Sequence, residues 1–379
     1  MLFLAILIVL IWLYLLLFHG RFWRILPFQL PHLHSAIKAR VAVVIPARNE
    51  ADVIGRAVSS LLRQEFDGDL RIFVVDDNSN DGTANVVRAA AGMLALVEKL
   101  HVIQGEELPP GWTGKVWAMQ QGWQAARDIN PDYMLFTDAD VEHVHDDVSR
   151  LIAQAEHGRY DLVSLMVKLH CESLAEKFLI PAFVYFFFLL YPPSKIADLR
   201  SRVAGAAGGC MLVRREILEK IGGFESVRGE IIDDCALAAK VKHAGGRLWL
   251  GVTPETRSIR RYGNLANIRD MIARTAFNQL RHSYLLLAGC VVSMLLVFIA
   301  PLALVGSKSG LIGWIALAAS MIMFVTYSPT LRLYRINLLS TVTLPFAAIF
   351  YTYSTILSGW NFWRGKGGAW KGRTQDQIP

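Results

Sequence analysis

Acidic residues stand at the ends of short apolar runs in this chain, and such runs are typical of buried strands. The acidic motifs are Asp76-Asp77, Asp138-Ala139-Asp140 and Asp233-Asp234. The carboxyl ends of parallel strands meet at one edge of a sheet, where α/β proteins bind their ligands. Carboxylates at that edge indicate two kinds of chemistry: holding a nucleotide diphosphate through a divalent metal, and taking a proton from a second substrate.

Asp138 and Asp140 are the candidate metal ligands. They are two residues apart, so on an extended strand end both carboxylates are expected on the same side. Such a pair can offer oxygens to Mg²⁺ or Mn²⁺ while diphosphate oxygens and water complete the coordination shell. The alternative for an isolated Asp-x-Asp is a solvated loop with an Asx-turn.

Asp77 is a candidate for nucleotide recognition. Its carboxylate could accept a hydrogen bond from a base N–H or from a ribose hydroxyl. The alternative is that Asp76 and Asp77 cap the helix that is predicted to follow the turn at 78–83.

The segments that must position these residues alternate between strand and helix. Apolar residues recur at helical spacing after the first strand, and Gly, Asn, Asp and Ser mark the turns. This alternation predicts a doubly wound α/β domain with a mostly parallel, Rossmann-like sheet. The predicted strands are 41–45, 72–75, 133–137, 161–167, 209–213 and 247–252.

The composition indicates a soluble domain joined to membrane segments. The 379 residues are 53% hydrophobic and 19% charged, and the mean hydropathy is +0.35. Lys and Arg give a net charge of +7 but are spread along the chain, which favours anionic lipid headgroups and phosphorylated substrates over nucleic acid as partners. The four cysteines are scattered, which argues against a disulfide framework and against a zinc site.

Residues 1–20 are predicted to be an uncleaved transmembrane anchor. The stretch is almost continuously apolar and has neither a basic region before it nor a small-residue cleavage site, which favours an anchor over a signal peptide. Arg21, Arg24, Lys38 and Arg40 follow it. The positive-inside rule therefore predicts an external N-terminus and places about the next 240 residues in the cytoplasm.

Residues 284–358 are predicted to form the C-terminal membrane segments, and 359–379 a basic tail. The spanning candidates are 284–305, 311–327 and 338–357. Together with the anchor they would make four crossings and place the tail outside, although the tail contains Arg364, Lys366, Lys371 and Arg373. We therefore expect one C-terminal segment to be re-entrant or interfacial.

Residues 178–193 are predicted to be an interfacial segment. The apolar part, 178–191, is interrupted by Pro181 and is too short to span a membrane. In the sequence it lies between the metal motif and Asp233-Asp234. A position in the headgroup region would therefore bring the lipid surface to the part of the site that takes the second substrate. A buried core helix is the alternative.

These motifs together resemble the family 2 glycosyltransferases of the GT-A fold, over residues 41–282. The resemblance rests on Val-Val-Ile-Pro-Ala-Arg-Asn-Glu at 43–50, Val-Val-Asp-Asp-Asn-Ser-Asn-Asp-Gly-Thr at 74–83 and Thr-Asp-Ala-Asp at 137–140. The membrane segments, the loop Gly-Trp-Thr-Gly-Lys-Val-Trp at 111–117 and the tail motif at 370–373 look most like the hopene-associated bacterial glycosyltransferases, relatives of the ceramide glucosyltransferases.

The resemblance implies a role for each matching residue. Glu50 would line the uridine pocket and Asp77 would contact the base. Asp138 would contact the ribose or the metal, and Asp140 the metal. Asp234 would be the general base that deprotonates the acceptor hydroxyl.

Three further residues are predicted to contact the substrates. Lys115 lies in a segment similar to the donor-phosphate segment of the family, and Arg281 would face the diphosphate as a cation. Asp233 is expected beside the base, where like-charge repulsion would raise the pKa of Asp234. The alternatives are that Asp233 and Asp234 only cap a helix, and that Arg281 is a membrane-interface anchor.

The predicted function is metal-dependent, inverting transfer of one sugar from a UDP-sugar to a membrane lipid, with a hopanoid as the candidate acceptor. Many membrane members have Gln-x-x-Arg-Trp where this chain has Asn-Gln-Leu-Arg-His at 278–282, and the missing Trp favours single transfer over polymerisation. The predicted location is the bacterial inner (cytoplasmic) membrane, with a multi-pass topology. The alternatives are a processive polysaccharide synthase and a catalytically silent membrane scaffold that binds nucleotide sugars.

Overall fold

The computed structural model describes residues 1–25, 38–365, 369–370 and 373–374. The chain divides into two compact units. An α/β unit comprises Leu26–Leu169, Ile196–Arg260 and Ala369–Pro379, and a helical unit comprises Met1–Ile25, His170–Lys195 and Arg261–Gly368.

The α/β unit is built on a mixed sheet of eight strands in the order β3-β2-β1-β4-β7-β6-β8-β5. Four neighbouring pairs are parallel and three are antiparallel, so the predicted mostly parallel sheet is confirmed. The strands are β1 Arg40–Ala47, β2 Asp69–Asp76, β3 Leu100–Gln104, β4 Tyr133–Thr137, β5 Val141–Glu142, β6 Leu162–Lys168, β7 Cys210–Arg214 and β8 Leu248–Ser258. Two short strands, β9 Ala369–Trp370 and β10 Arg373–Thr374, pair with each other.

The α-helices in chain order, over the described residues, are α1 Leu2–Leu17, α2 Ile54–Leu62, α3 Thr83–Met93, α4 Gly114–Ala126, α5 Asp147–Gly158, α6 Leu174–Leu190, α7 Pro193–Ala197, α8 Arg215–Lys220, α9 Asp233–His243, α10 Leu265–Gln279, α11 Tyr284–Met294, α12 Ala300–Val305, α13 Gly310–Leu333 and α14 Leu344–Trp363. A π-helical turn, Leu295–Ile299, joins α11 to α12, and a 3₁₀ segment, Leu338–Thr343, precedes α14.

Helices cover both faces of the sheet, as the continuous apolar runs of the central strands predict. On β1, Val43 and Ile45 belong to the core that includes α2, α3 and α5. Successive strand residues face opposite sides, and Val44 lies under α4. A Cβ built on Gly122 of α4 would come within 2.4 Å of Val44 Cγ1, so only glycine lets this helix approach β1 so closely.

The helical unit has a core of its own, rich in aromatic rings. Trp12 of α1 and Phe298 pack edge to face with centroids 5.6 Å apart, and the Trp12 indole donates a hydrogen bond to Val297 O at 2.9 Å. Tyr185 of α6 packs in the same way against Tyr327 of α13, at 5.3 Å. The unit is thus held by ring packing, and the indole N–H of Trp12 is satisfied by a backbone carbonyl.

Four helical segments in the described part of the chain are long and apolar enough to cross a membrane. They are Leu174–Ala197, Tyr284–Val305, Gly310–Leu333 and Leu338–Trp363. The first is longer than the 14-residue apolar run on which the interfacial segment 178–193 was predicted, because the helix begins at Leu174. The interfacial position of that segment stays a prediction.

The N-terminal helix α1 has 16 residues, fewer than the about 20 that a straight crossing requires. The anchor at 1–20 and the boundaries 41–282 and 284–358 stay predictions. Part of the tail 359–379 lies outside the described residues, including Lys366 and Lys371.

Candidate active site

Four of the predicted site residues, Glu50, Asp77, Asp138 and Asp140, lie just after the ends of three neighbouring parallel strands. Strand β1 lies between β2 and β4, and Ala47 at the end of β1 is paired with Asp76 at the end of β2. Strand β4 runs parallel to β1 and ends at Thr137. The segments that follow these strands therefore share one edge of the sheet, as predicted from their sequences.

The loops after β1 and β2 are tied together by hydrogen bonds. The N–H of Asn49 donates to Ser79 Oγ at 2.9 Å, and the N–H of Glu50 donates to Thr83 Oγ1 at 2.9 Å. In return, Asn49 Oδ1 accepts the N–H of Asn80 at 3.0 Å. Asn49 has φ 50°, a left-handed conformation that asparagine tolerates better than most residues. These bonds fix the direction of the loop that carries Glu50.

Asp76 and Asp77 have different surroundings. Asp76 Oδ1 accepts the N–H of Ser79 at 3.0 Å, so this carboxylate shapes its own loop. Asp77 is 2% exposed, and Arg48 Nη1 donates to its carbonyl oxygen at 2.5 Å and lies 3.5 Å from its Oδ2. Helix α3 has Gly82 as its N-cap and no side-chain cap, so the alternative that Asp76 or Asp77 caps it is wrong.

Arg260 joins two of the predicted site residues and was not identified from the sequence. Its Nη2 donates to both carboxylate oxygens of Glu50, at 2.7 and 2.8 Å, and its Nε donates to Asp140 Oδ2 at 3.1 Å. Ser258 Oγ donates to the same Asp140 oxygen at 2.7 Å. Strand β8 was predicted to end at 252, whereas it continues to Ser258 and delivers Arg260 to this edge. Had the strand been predicted to continue to residue 258, Arg260 would have been recognised as a residue just after a strand end.

Lys115 is the second cation of the site. Its Nζ lies 2.9 Å from Asp138 Oδ1 and 3.6 Å from Asp233 Oδ2. It stands in the first turn of α4, whose N-cap Thr113 donates its N–H to Arg228 O at 2.9 Å. Burial favours a lower pKa for Lys115, but the carboxylates of Asp138 and Asp233 outweigh it and raise the pKa above its usual range. Lys115 therefore stays charged and neutralises acidic residues from two segments.

Asp234 begins α9 beside Asp233 and has the surroundings of a proton acceptor. Its Oδ2 accepts the N–H of Gly208 at 2.7 Å, and a Cβ built on Gly208 would lie 3.1 Å from that oxygen, so glycine permits the approach. Burial, and then repulsion by Asp233, raise the pKa of Asp234 to about 6, while Lys115 acts in the opposite direction. A carboxylate with this pKa can take a proton near neutral pH.

The geometry of the Asp138-Ala139-Asp140 motif differs from the extended strand end that was expected. Strand β4 ends at Thr137, and Val141 donates its N–H to Asp138 O at 3.2 Å, which closes a turn. The two carboxylates form ion pairs with different cations: Asp138 with Lys115, and Asp140 with Arg260. The extended conformation expected for these two residues is thus wrong.

The donor set still suits a divalent metal that is shared with a substrate. The described residues contain no group of three His, Cys, Asp or Glu side chains that could hold a metal alone. Each ion pair uses one carboxylate oxygen, Asp138 Oδ1 or Asp140 Oδ2. Two carboxylates with phosphate oxygens and water are a usual shell for Mg²⁺. The metal roles of Asp138 and Asp140 stay predictions.

Arg281 belongs to the helical unit. It lies in the turn between α10 and α11 with φ 50°. Its neighbour His282 stacks on Phe362 with centroids 4.3 Å apart, so the residue in the place of the missing Trp is packed within that unit. The predicted contact of Arg281 with the diphosphate stays a prediction.

Known proteins resemble both the sequence and the fold. Residues 42–222 match the model of the family described as Glycosyl transferase family 2. A 4,4'-diaponeurosporenoate glycosyltransferase of Staphylococcus aureus is 29% identical over 205 residues, which are 52% of this chain and 50% of that protein. An undecaprenyl-phosphate 4-deoxy-4-formamido-L-arabinose transferase of Pseudomonas fluorescens is 28% identical over 196 residues, or 47% and 48% of the two chains.

The chain spans no more than about half the length of these curated relatives. Among solved structures, the mannosyltransferase PcManGT from Pyrobaculum calidifontis, in complex with GDP-Man and Mn²⁺, superposes with a TM-score of 0.57 at 19% identity. The match covers 93% of this chain and 98% of that one. This likeness concerns the fold, and the predicted GT-A fold is confirmed.

Proposed function

Because the chain carries a glycosyl transferase family 2 domain at residues 42–222, we propose that the protein is an inverting, metal-dependent glycosyltransferase of a membrane. In this proposal it moves a single sugar from a UDP-sugar to a membrane lipid, with a hopanoid as the candidate acceptor. The observation that carries the proposal is the cluster around Lys115, where Asp138 follows one strand and Asp233-Asp234 begin a helix. The carboxylates proposed to bind the substrate and to accept the proton thereby lie in one cluster.

The reaction would be a direct displacement at the anomeric carbon. The acceptor hydroxyl oxygen forms a bond to that carbon while the bond to the diphosphate oxygen breaks, and the hydroxyl proton passes to Asp234. The Gly208 N–H holds Oδ2 of Asp234 at 2.7 Å and thereby fixes the direction of this carboxylate. Attack opposite the leaving group inverts the anomeric centre.

One lysine and four carboxylates would receive the donor. Lys115 would contact the diphosphate, and Glu50 and Asp77 would contact the nucleoside. Asp138 and Asp140 would hold a bound Mg²⁺ or Mn²⁺, which would neutralise charge on the departing diphosphate. PcManGT, which has the same fold, is described with Mn²⁺ and a nucleotide sugar, in agreement with this part of the proposal.

A membrane lipid is the proposed acceptor because of the apolar helices and the relatives. Four segments within the part of the chain that the structure describes are long and apolar enough to cross a bilayer. The two relatives are named for undecaprenyl phosphate and 4,4'-diaponeurosporenoate. We propose a multi-pass protein of the bacterial inner membrane whose catalytic domain faces the cytoplasm, where nucleotide sugars would reach it.

The test is product formation by the full-length protein in detergent or nanodiscs. The protein is incubated with Mn²⁺, a panel of UDP- and GDP-sugars and a total bacterial lipid extract, and new lipid masses are read by mass spectrometry. We expect one lipid class to gain the mass of one sugar, only with UDP-sugars. The Asp234→Asn protein is the matched control.

Three outcomes would contradict the proposal in different parts. A ladder of added sugars would indicate a polysaccharide synthase, and products with GDP-sugars only would overturn the donor. Nucleotide-sugar binding without any transfer, in the wild type and in Asp234→Asn alike, would indicate a silent scaffold.

A further inference from the structure

A buried polar network lies next to the turn at Asp138–Asp140 in the α/β unit. His143 and Asp147 have side chains that are 0% and 1% exposed, and His143 Nδ1 lies 2.8 Å from Asp147 Oδ2. Thr256 Oγ1 donates to the same Asp147 oxygen at 2.6 Å. On its other side, His143 Nε2 lies 2.9 Å from Thr137 Oγ1. Thr137 is the last residue of β4 and immediately precedes Asp138.

The hydrogens of this network can be followed atom by atom. Thr137 Oγ1 lies 2.9 Å from Gly209 O, which can only accept, so the hydroxyl hydrogen points to that carbonyl. Oγ1 then turns its lone pairs toward His143 Nε2, which donates to it when that nitrogen carries the hydrogen. Asp147 Oδ2 accepts from Thr256, and His143 Nδ1 lies 2.8 Å from the same oxygen. The connection therefore runs from His143 through Thr137 to Gly209.

Gly209 connects the network to the proposed base. Its carbonyl also accepts the N–H of Asp138 at 3.4 Å, and the preceding residue, Gly208, donates its N–H to Asp234. Gly208 and Gly209 belong to the loop at 207–209 that precedes β7. The start of this loop is held by Ser164, whose Oγ accepts the N–H of Ala207 at 2.8 Å. The loop thus has one anchor at Ala207 and one at Gly209, with Gly208 between them facing Asp234.

We propose that His143 is a positioning residue which, through Thr137, fixes the Gly208–Gly209 loop against Asp234. Helix α5 holds Asp147 in its first turn, where the helix dipole favours a negative charge, and Asp147 in turn orients the His143 ring. The side chains of Thr137, His143 and Asp147 are buried and joined by hydrogen bonds, so the loop is held from the core and not by solvent-exposed contacts. Asp147 Oδ1 is buried without a hydrogen-bond partner among the described residues. The catalytic consequence rests on the proposed function, whereas the effect on the loop does not.

Two amide substitutions of His143 are each expected to keep one of its two contacts and to lose the other. The amide nitrogen of His143→Asn falls near Nδ1 and keeps the bond to Asp147 but loses Thr137. The amide nitrogen of His143→Gln falls near Nε2 and keeps the bond to Thr137 but loses Asp147. Both variants retain one of the two bonds, so a general loss of stability would affect them alike. Thr137→Val removes the hydroxyl at nearly constant shape, and Thr137→Ser retains it.

The first measurement is amide hydrogen exchange of the segment 206–210 in the full-length protein, because it does not require activity. We expect exchange to rise about 10-fold in His143→Asn and in Thr137→Val, and to stay near the wild type in His143→Gln and Thr137→Ser. The double variant His143→Asn/Thr137→Val should add nothing further, because both changes break the same connection. Equal exchange in His143→Asn and His143→Gln, or unchanged exchange in Thr137→Val, would overturn the proposal.

The second measurement is steady-state sugar transfer by the same variants. We expect kcat to fall about 10–100-fold in His143→Asn and Thr137→Val, the range found for outer residues that orient reacting groups, with the donor KM unchanged. His143→Gln and Thr137→Ser should recover most of the turnover. A wild type without transfer activity would contradict the proposed function, and the exchange data would still decide the positioning role.

Discussion

The Nζ of Lys115 lies 2.9 Å from Oδ1 of Asp138, which ties the first turn of α4 to the turn that follows β4. Lys115 is also 3.6 Å from Asp233 Oδ2, and its charge lowers the pKa of Asp234. A single side chain thus links the residues proposed to bind the donor with the residue proposed to accept the proton.

Lys115→Met should therefore change both donor binding and pH dependence. Loss of one charge-assisted contact, worth about 1.5–3 kcal/mol, should raise the donor KM by at least about 10-fold. Removal of the cation should also raise the pKa of Asp234. In a plot of kcat against pH, the decrease at low pH (the low-pH limb) should therefore move to higher pH. Lys115→Arg, which keeps the charge, is the control. A limb that stays in place in Lys115→Met would show that Asp234 does not control turnover.

The pH dependence of the wild type follows from the raised pKa of Asp234. A general base must be ionised, and the pKa of this carboxyl is about 6. Turnover under donor and acceptor saturation should then decrease as the pH falls through about 6 and level off above it. A kcat that is constant from pH 5 to pH 8 would exclude Asp234 as the base.

Asp234→Asn should separate turnover from folding. It keeps the shape and the Gly208 contact but cannot take a proton, so kcat should fall roughly 10²–10⁴-fold with donor binding retained. Asp233→Asn is the comparison, and if it shows this loss while Asp234→Asn turns over normally, the base is residue 233.

The same substitution should stabilise the fold at neutral pH. The folded-state pKa of Asp234 is raised from 3.8 to about 6, so the folded state binds the proton more tightly than the unfolded chain. The contribution of Asp234 to the stability of the wild type therefore decreases as the pH rises from about 4 to about 6. The Tm of Asp234→Asn minus that of the wild type should be larger at pH 7 than at pH 4, as measured by thermal unfolding. A difference independent of pH would contradict the raised pKa.

Asp140→Ala should abolish transfer, because Asp140 is the residue proposed to hold the metal on the diphosphate. Chelation of the wild type with EDTA should do the same and should be reversed by Mn²⁺. Ser258→Ala removes only the hydroxyl that donates to Asp140 Oδ2 and should retain most activity. Full activity of the wild type in excess EDTA would contradict the metal role of Asp138 and Asp140.

Glu176→Gln should destabilise the helical unit. The carboxylate of Glu176 is buried and accepts the N–H groups of Tyr262 at 2.8 Å and of Ser173 at 2.9 Å, and lies 3.0 Å from His170 Nδ1. A glutamine turns an NH₂ group toward one set of these donors, at a cost of about 1–3 kcal/mol. The Tm in detergent should fall, whereas Glu172→Gln, whose side chain is 77% exposed, should leave it unchanged. Equal Tm values for both variants would contradict this role.

The sequence was sufficient to predict the strands at the centre of the sheet and four of the residues at its edge. Strands β1, β2 and β4 are short apolar runs, and Glu50, Asp77, Asp138 and Asp140 follow them within a few positions. Burial of a strand on both faces leaves a continuous apolar run, and the turn after it is marked by polar residues, so this information is local. For the same reason the α/β class could be predicted before any tertiary contact was known.

Which side chains pair at that edge was decided by the tertiary structure alone. Glu50 and Arg260 are 210 residues apart in the sequence. They form an ion pair, in which Arg260 Nη2 contacts both carboxylate oxygens of Glu50, because β8 continues past Val252 to Ser258. That extension contains Pro254, Glu255 and Arg257, which do not favour a strand by composition, and at its end Ser258 pairs with Val141 of β5. Backbone pairing with a distant strand overrides local preference there, and a preference that is overridden by a distant contact leaves no local pattern in the sequence.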